Sequence, residues 1–527
     1  MVNTESQQRT LPQVVAATAR ALPERVAISD GPVSLTYAEL DAARLQAARA
    51  FLAAGLGHGE RIAIWAPNMW QWIVAAMGAQ TVGGVLVPLN TRLKGAEAGF
   101  ILRRSGARWL FTVGEFLGMR YPAMLAGEDL PDLQGIVLFE GDAGEDAAWA
   151  DFIARGDSVP LAEVEARANQ LRPDDTLDIL FTSGTTGQPK GVVTSHGQNI
   201  RAFATWSATV GLTSEDNYLI INPFFHSFGY KAGWLAATIT GARILPVKQF
   251  DLDAVLGQIH RDRVSVIPGP PTIYQSLLSH PRRADYDLSS LRLAVTGAAP
   301  VPVSLIEKMR SELGFKVVVT AYGLTESCGV ISICRPEDSA ERISHSSGRA
   351  MDGVEMQCVD ADGVAVPAGT EGEIWCRGYN VMQCYLDNPE ETARTITADG
   401  WLKTGDVGVM DEDGYVRITD RIKDMFIVGG FNCYPAEIEN SLHSMPGVAR
   451  AAVIGVPDER MGEVACAWIV PAPGAALDEA AVIAWARENM ANYKVPRFVR
   501  FVEELPMNAG GKVLKNELRQ RMAAERG

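Results

Sequence analysis

The feature that most constrains the fold is the alternation of short apolar segments with helix-like segments over the first two-thirds of the chain. Apolar runs such as 177–182, 264–268 and 291–296 have the length of buried strands, and residues 303–312 follow with helical spacing. Regular alternation of this kind predicts an α/β fold with largely parallel sheets flanked by helices. The 527 residues are also too many for one ordinary domain of about 150 residues.

The character of the sequence changes near residue 348 and again near residue 420. Between these points, short strand-like segments are separated by Asp-Gly and Pro-Ala-Gly turns, which is typical of a small antiparallel β region. Beyond residue 425 the order strand, helix, strand, strand, helix predicts a small α+β domain. The segment Arg421-Ile-Lys-Asp424 lies at the second change, so we place a domain boundary there.

Composition and charge exclude several classes of protein. The net charge of −15 would repel nucleic-acid backbones and anionic membranes, so we expect no nucleic-acid partner. The most apolar stretch, 72–89, is interrupted by polar and glycine residues at 80–84, which predicts a buried helix and strand and no membrane span. Residues 1–10 lack the pattern of a secretory signal, and no two of the seven cysteines have C-x-x-C spacing. We therefore expect reduced thiols and a cytoplasmic location.

One short segment combines hydroxyl, glycine and lysine residues in the way an anion-binding loop requires. It contains, in order, Thr182, Ser183, Gly184, Thr185, Thr186, Gly187 and Lys190. Glycines let backbone N–H groups approach a phosphate, hydroxyls donate further hydrogen bonds, and the lysine adds a positive charge. Pro189 and Gly191 stand where a Walker A loop has its second glycine and its Ser/Thr, so the segment does not fit a P-loop NTPase.

This segment resembles the signature of the adenylate-forming superfamily, which includes acyl-CoA synthetases, aryl-CoA ligases, luciferases and amino-acid adenylation domains. Further motifs of that superfamily follow in order: TGAAP at 296–300, YGLTE at 322–326, TGD at 404–406, DRIKD at 420–424, GGFNCYPAE at 429–437 and PMNAGGK at 506–512. The matches extend over about two-thirds of the chain. The resemblance implies ATP, Mg²⁺ and, in the CoA ligases, CoA as reactants or cofactors.

The resemblance assigns roles around the nucleotide. Tyr322 is expected to stack on adenine, and Asp406, in a short loop before a strand, is expected to bind the ribose hydroxyls with Arg421. Glu326 is the expected Mg²⁺ ligand, since that ion is usually held by one or two carboxylates and by phosphate oxygens. The remaining nucleotide-site residues implied are Gly297, Ala298, Ala299, Gly323 and, at the α-phosphate, Thr325.

The resemblance also implies a mobile C-terminal domain. Lys512 is expected to contact the carboxylate and the α-phosphate during adenylation, where it would stabilise developing negative charge. Lys423 lies at the hinge position of the family, where a few residues absorb a large change of φ and ψ. After the domain rotates, Gly429 and Gly430 would allow the pantetheine arm of CoA to pass close to the backbone.

Two residues are candidates for the acyl pocket. His226 lies in the aromatic-rich segment 222–230, and in the family a histidine here lies near the acyl carboxylate. Trp234, one helical turn beyond Tyr230, is a candidate pocket wall, although plain core packing would explain it equally well.

The acceptor and the acid follow from further comparison within the superfamily. No carrier domain follows Lys512 and no early pocket aspartate suits an amino acid, so we expect free CoA as the acceptor. The runs 221–233, 268–278 and 334–338 look closest to the bacterial steroid-degradation acyl-CoA synthetases, which activate a two-ring hydrindanedione propanoate. Medium-chain fatty acids and aryl acids are the alternative substrates.

The predicted reaction has two steps. The acid and Mg·ATP give acyl-AMP and pyrophosphate, and CoA then displaces AMP. A catalytically silent nucleotide-binding protein would be expected to lack Lys190, Glu326 or Lys512, and all three are present. We expect an N-terminal adenylation domain (residues 1–420) of two sheets flanked by helices plus a small β barrel. A hinge (421–424) and a small mobile α+β domain (425–527) should follow.

Overall fold

The computed structural model describes residues 9–144, 146–183, 188–297, 301–421, 426–506, 513 and 515–526. The chain forms two compact units. The first comprises Met1–Thr91, Leu102–Phe181 and Gly191–Asp420, and the second comprises Arg92–Ile101, Thr182–Lys190 and Arg421–Gly527. The predicted hinge falls mostly on residues outside the described ranges, so its position and the exact domain boundaries stay predictions.

The helices of the described residues are numbered in chain order. They are α1 (Leu11–Ala21), α2 (Tyr37–Ala53), α3 (Trp70–Thr81), α4 (Gly95–Ser105), α5 (Tyr121–Met124), α6 (Trp149–Ala154), α7 (Leu161–Gln170), α8 (His196–Val210), α9 (Ser227–Gly229), α10 (Ala236–Thr240), α11 (Leu252–Asp262), α12 (Pro271–Ser279), α13 (Val303–Ser311), α14 (Ala340–His345), α15 (Pro389–Thr395), α16 (Pro435–His443), α17 (Glu479–Asn489) and α18 (Lys515–Arg526). A π-helical turn, Tyr230–Leu235, joins α9 to α10, and Thr325–Ser327 forms a 3₁₀ turn.

The strands are numbered in the same way. They are β1 (Val26–Asp30), β2 (Val33–Thr36), β3 (Arg61–Trp65), β4 (Val85–Pro88), β5 (Ala107–Thr112), β6 (Glu115–Phe116), β7 (Met119–Arg120), β8 (Gly135–Leu138), β9 (Ala147–Ala148), β10 (Thr176–Ser183), β11 (Pro189–Ser195), β12 (Asn217–Ile220), β13 (Arg243–Pro246), β14 (Val266–Pro268), β15 (Leu293–Thr296), β16 (Val317–Tyr322), β17 (Ser332–Ile333), β18 (Arg349–Ala350), β19 (Val354–Val359), β20 (Glu371–Gly378), β21 (Cys384–Tyr385), β22 (Leu402–Met410), β23 (Val416–Arg421), β24 (Phe426–Val428), β25 (Phe431–Cys433), β26 (Val448–Asp458), β27 (Gly462–Pro471) and β28 (Phe498–Phe501).

Two large sheets form the framework of the first unit. One has the strand order β18-β17-β16-β15-β14-β12-β13-β1-β2, and its consecutive pairs from β16 to β1 are parallel. The other has the order β21-β11-β10-β4-β3-β5-β8-β9, with parallel pairs from β10 to β9. Helices follow most of the parallel strands. The predicted α/β fold class with largely parallel sheets is therefore confirmed.

The apolar stretch 72–89 forms most of α3 and the strand β4, as the sequence predicts. Residues Gln71–Thr81 of α3 are all buried, because the helix lies inside the first unit and has no polar face. No helix among the described residues is both long enough and apolar enough to cross a membrane.

A third sheet contains the turn-rich region between residues 348 and 420. Its strand order is β19-β20-β22-β23, and the pairs β19–β20 and β20–β22 are antiparallel. This half-barrel sheet takes the place of the expected small barrel. Asp406, expected in a loop before a strand, instead lies within β22, because that strand continues through an irregular register opposite β20, with Gly405 at φ +73°. A β-bulge of this kind re-aims a side chain without ending the strand.

The second unit has its own sheet, with the order β25-β24-β27-β26 and β28 paired in parallel with β27. Its apolar core includes Phe426, Ile454, Trp468 and Leu518. These residues come from strands and from α18, so the predicted small α+β C-terminal domain is present. The short strands β25 and β28 were not predicted from the sequence.

Candidate active site

Three of the predicted site residues lie at or beyond the carboxyl ends of parallel strands of the nine-stranded sheet. His226 comes after β12, Gly297 immediately after β15, and Tyr322 ends β16. The strand order β16-β15-β14-β12 places all three at the carboxyl edge of the same sheet. A Cβ added to Gly297 would lie 3.2 Å from the carbonyl oxygen of Ala321, so the backbone here lies against the end of β16. Ligands of open α/β sheets bind at this edge.

Tyr322 and Asp406, predicted to bind adenine and ribose, are directly hydrogen-bonded. The Tyr322 hydroxyl donates to Asp406 Oδ2 at 2.6 Å, and the two residues are 84 positions apart in the sequence. Both side chains are buried. Burial, and next the charge of Asp406, raise the pKa of Tyr322 well above its ordinary value, so the hydroxyl keeps its proton and remains a donor. One oxygen of the Asp406 carboxylate, Oδ2, is therefore already hydrogen-bonded within the protein.

Glu326 lies in a tight turn that the backbone closes. The N–H of Gly329 donates to the carbonyl of Leu324 at 2.7 Å, and the N–H of Ile331 donates to the carbonyl of Tyr322 at 2.7 Å. A Cβ on Gly323 would lie 2.4 Å from Cα of Val330, so only glycine fits where the chain folds back on itself. The turn projects the half-buried Glu326 side chain beside the end of β16.

Tyr385 fixes the orientation of the Glu326 carboxylate. Its hydroxyl donates to Glu326 Oε1 at 2.8 Å, and the N–H of Met382 donates to the backbone carbonyl of Glu326 at 2.8 Å. Burial raises the pKa of Tyr385 above its ordinary range, and the negative charge of Glu326 raises it further. The carboxylate that is predicted to bind Mg²⁺ is therefore held in place by a protonated tyrosine.

The segment that carries His226 is anchored by a buried asparagine. Asn68 Nδ2 donates to the carbonyls of Ile220 (3.2 Å) and Asn222 (2.9 Å), and its Oδ1 accepts from the N–H of Phe224 at 2.7 Å. The position of Asn68 after β3 thus ties one sheet to the carboxyl end of β12 in the other.

The ring of His226 is oriented by the start of α9. Its Nδ1 accepts from the N–H of Phe228 at 3.2 Å. The side chain is reached by solvent, yet surrounding protein lowers its pKa by desolvation. The neutral ring that accepts at Nδ1 carries its proton on Nε2, which leaves an N–H donor at the far side of the ring.

Trp234 lies in a fully buried aromatic cluster. Its ring stacks on Tyr230 with centroids 4.8 Å apart and meets Trp72 at 6.0 Å. This position accounts for the residue by core packing, and its role as a wall of the acyl pocket stays a prediction.

The predicted phosphate loop begins at the end of β10 and leads into β11. Thr182 lies in β10, and Lys190 is the second residue of β11. A Cβ on Gly191 would lie 2.8 Å from Cγ2 of Ile179, so this glycine is required where the two strands pack closely. The side chain of Ser183 and the residues Gly184, Thr185, Thr186 and Gly187 lie outside the described part of the structure, as do Ala298 and Ala299.

The predicted residues of the second unit are mostly outside the described ranges. This applies to Lys423, Lys512 and the side chain of Arg421. Gly429 and Gly430 form the exposed two-residue turn between β24 and β25, with φ of +55° and +87°. A two-residue hairpin with positive φ at both positions strongly favours glycine, so the turn alone explains the pair, and their contact with CoA stays a prediction.

Sequence reasoning missed Tyr385 and Asn68, which orient predicted site residues. Asn68 leaves a weak signal, since it is a polar residue inserted between a strand and an apolar helix. Tyr385 leaves none that a single sequence could provide, because its partner is 59 residues away.

Comparison with protein families identifies the class of enzyme. Residues 15–386 match the family model described as AMP-binding enzyme, and residues 437–512 match the AMP-binding enzyme C-terminal domain. The chain belongs to the AMP-binding enzyme family. The first match covers more than half of the chain and includes the carboxyl-edge residues described above, except Asp406.

Individual relatives extend over nearly the whole chain. It is 51% identical to a Mycobacterium tuberculosis protein named 3-[(3aS,4S,7aS)-7a-methyl-1,5-dioxo-octahydro-1H-inden-4-yl]propanoyl:CoA ligase, over 97% of this chain and 99% of the relative. A Rhodococcus jostii protein of the same name is 48% identical, over 98% and 99% of the two chains. A solved structure of o-succinylbenzoate CoA synthetase from Bacillus subtilis matches with a TM-score of 0.81 and 30% identity, covering 98% of this chain and 99% of the other.

Proposed function

We propose that this chain is an ATP-dependent, AMP-forming ligase that joins the hydrindanedione propanoate named in those relatives to CoA. The observation that carries the proposal is identity of about half over almost the full length of both relatives of that name. The runs at 221–233, 268–278 and 334–338, two of which adjoin the carboxyl edge, point to the same acid. Because these runs resemble those of the steroid-degradation acyl-CoA synthetases, they support the choice of substrate as well as the reaction.

In the proposed first step, the carboxylate of the acid attacks the α-phosphorus of ATP and pyrophosphate leaves. Asp406, with Tyr322 holding one of its oxygens, accepts hydrogen bonds from the ribose hydroxyls through its other oxygen. Thr325 and Lys190 bind phosphate oxygens. Lys512 stabilises the negative charge that develops at the α-phosphate.

The residues present fit a magnesium ion bound mainly through ATP. Glu326 offers one partly exposed carboxylate, oriented by Tyr385, and Mg²⁺ commonly takes one or two carboxylates plus phosphate oxygens and water. Across the described residues, no group of three or more His, Cys, Asp or Glu could hold a metal by itself. Bound there, Mg²⁺ would neutralise charge on the leaving pyrophosphate.

His226 suits the acyl side of the site. Its lowered pKa keeps the ring neutral at pH 7, and its Nε2–H is free to donate to the substrate carboxylate. A neutral donor orients the carboxylate without trapping it as a tight ion pair. In the second step the CoA thiol gives its proton to solvent and its sulfur bonds to the acyl carbon, while the bond from that carbon to the phosphate oxygen of AMP breaks and AMP leaves. Because ATP and CoA are cytoplasmic metabolites, we also propose that the enzyme acts in the cytoplasm.

The test compares acids under one set of conditions. The bicyclic propanoate, octanoate and benzoate are each supplied with Mg·ATP and CoA, and AMP and acyl-CoA are quantified. We expect kcat/KM for the bicyclic acid to exceed the others by roughly 100-fold, the scale on which a shaped pocket discriminates. A preference for octanoate or benzoate would contradict the proposed substrate and leave the proposed reaction intact. Release of ADP in place of AMP would overturn the reaction itself.

A further inference from the structure

A fully buried ion pair joins β10 of the eight-stranded sheet to the π-helical turn that follows β12 of the nine-stranded sheet. Lys231 Nζ is 3.1 Å from Asp178 Oδ1, and neither side chain is accessible to solvent. Thr194 completes the group: its hydroxyl donates to Asp178 Oδ1 at 2.6 Å and accepts from Lys231 Nζ at 3.0 Å. Asn199 Nδ2 also donates to this hydroxyl, at 2.9 Å. The hydroxyl of Thr194 therefore uses its one donor position and both of its acceptor positions.

The ion pair connects the segments that carry the predicted site residues. Asp178 lies on β10 and Thr194 on β11, the two strands that flank the phosphate-loop motif. Lys231 lies in the π-helical turn five residues after His226. Inserted π turns are rare and occur often at functional sites, and this one contains a non-helical residue, Gly233.

The Glu326 turn packs against the segment that carries His226 and Lys231. Cys328 of the turn and Ser227 of that segment are both buried. A Cβ added to Gly329 would lie 2.9 Å from Cβ of Ser227, so the start of α9 lies against the Glu326 turn.

Stability alone does not explain these charges. Moving a lysine and an aspartate out of water costs several kcal/mol per ion, and apolar replacements of similar size are often as stable or more so. An ion pair differs from an apolar contact in having direction, because each hydrogen bond fixes both the distance and the angle between its partners. Here those directions run from one turn to two neighbouring strands.

We propose that Lys231 is a positioning residue for ATP binding and adenylation. Through Asp178 and Thr194 it fixes β10 and β11, and with them the ends of the phosphate-loop motif, relative to the segment that carries His226. The inference rests on the proposed adenylation chemistry, and it assigns Lys231 no contact with substrate.

The main test removes both charges together, so that no uncompensated charge is left in the interior. The variant Lys231→Met/Asp178→Asn keeps similar volume and should retain the fold. We expect its Kd for Mg·ATP to rise about tenfold and its acid-driven pyrophosphate exchange to fall by about as much, since small misplacement of reacting groups has effects of this size or larger. Thioester formation from supplied acyl-AMP should change less than the adenylation step.

An ion pair at the amino edge of the nine-stranded sheet provides the control. Arg292 Nε donates to Asp216 Oδ1 at 2.7 Å, and Asp216, just before β12, is buried while part of the Arg292 side chain is exposed. The variant Arg292→Met/Asp216→Asn removes this pair, which lies far from the carboxyl edge. We expect it to lower the melting temperature and to leave the Kd for Mg·ATP unchanged.

A milder variant keeps the proposal testable if the double variant does not fold. Thr194→Val preserves both charges and removes the bridging hydroxyl with its three hydrogen bonds. It should weaken Mg·ATP binding roughly fivefold, less than the double variant, because the charged pair itself remains. Wild-type Mg·ATP affinity from a folded Lys231→Met/Asp178→Asn protein, or from Thr194→Val, would overturn the positioning role. Mg·ATP affinity is measured without the acid, so a wrong choice of acid would fail separately, in the acid comparison.

Discussion

The carboxyl edge of the nine-stranded sheet and the glycine turn of the second unit carry predicted site residues in two different ways. At the edge, Tyr322 is bonded to Asp406, and Glu326 to Tyr385, so neighbouring side chains fix the predicted chemistry. At the turn, Gly429 and Gly430 have no side chains, and their positive φ values are what a hairpin needs. A motif built from side chains can therefore be checked against the residues that its side chains contact. A glycine motif needs an experiment that separates backbone conformation from ligand contact.

The largest effect should come from fixing the predicted hinge. Lys423→Pro restricts φ to about −65° and removes a backbone donor where the chain is predicted to change conformation. We expect acyl-CoA formation to fall by several orders of magnitude, while acid-driven pyrophosphate exchange at the carboxyl edge persists. Both half-reactions are measured on one sample, with thermal unfolding as the control for folding. Normal thioester formation would show that the pivot lies elsewhere.

Lys512→Ala should produce the opposite pattern. Loss of a group that stabilises developing charge should slow adenylation by about 100-fold or more. Thioester formation from supplied acyl-AMP and CoA should remain close to normal, because this lysine is predicted to have left the site by then. Equal loss in both half-reactions would contradict the division of labour between the two units.

Acid should destabilise the first unit through a buried histidine. His196 is fully enclosed, its Nδ1 accepts from the N–H of Leu11 at 3.1 Å, and burial lowers its pKa to about 4, against the smaller opposing effect of Asp175. Between pH 6.5 and 4 the unfolded chain binds a proton that the folded chain does not. The free energy of unfolding should therefore fall as the pH falls, by about 2 kcal/mol between pH 7 and 5.

Urea unfolding at the two pH values measures this loss, and His196→Gln is the matched variant. The variant should be less stable at pH 7 but should lose less between pH 7 and 5. Hydrogen exchange would locate the loosening in the first unit. An unchanged pH dependence in His196→Gln would assign the acid sensitivity to other groups.

Tyr385→Phe tests whether a neighbour at the edge matters for chemistry. Without the hydroxyl, Glu326 loses a fixed partner, and we expect kcat/KM for Mg·ATP to fall about tenfold with a higher Mg²⁺ requirement. Tyr379→Phe is the control, since its hydroxyl donates to the backbone carbonyl of Asp352 at 3.2 Å instead of to a site residue. Equal behaviour of the two variants would reduce Tyr385 to a packing residue.

The smallest effect should come from the glycine turn. Gly430→Ala places a Cβ in open space at φ +87°, so it should cost about 1 kcal/mol of stability through backbone strain alone. Gly430→Asn tolerates this conformation and should recover most of that loss. If the backbone must also be bare for CoA, Gly430→Asn will be stable yet slow in thioester formation. Normal thioester formation by Gly430→Asn would show that the hairpin turn alone explains the two glycines.

Local pattern predicted most of the framework. Strands β14 and β15 and helix α13 match the predicted segments 264–268, 291–296 and 303–312 within a few residues, and the change to antiparallel sheet near residue 350 is correct. These elements follow from apolar periodicity and turn residues, which are properties of neighbours in sequence. The placement of Asp406 in a loop was wrong, because a bulge can keep a strand continuous through a glycine.

The connections between segments could not be predicted in the same way. Asp178 and Lys231 each appear in apolar surroundings, and nothing local indicates that they meet across 53 residues. The same holds for Tyr385 with Glu326. Such pairs depend on the order in which strands assemble in the sheets, and a single sequence read alone does not contain that information.

The seven cysteine thiols have a practical consequence. All are free, and six are buried, which leaves the partly exposed Cys384 as the one that a thiol reagent would reach first. Cys384 lies in β21, paired with Val193 of β11, and it precedes Tyr385. Successive side chains of a strand point to opposite faces, so a fluorophore on Cys384 would sit away from the tyrosine that holds Glu326. The chain thus carries a natural attachment point for an optical probe of its nucleotide site, without any engineered residue.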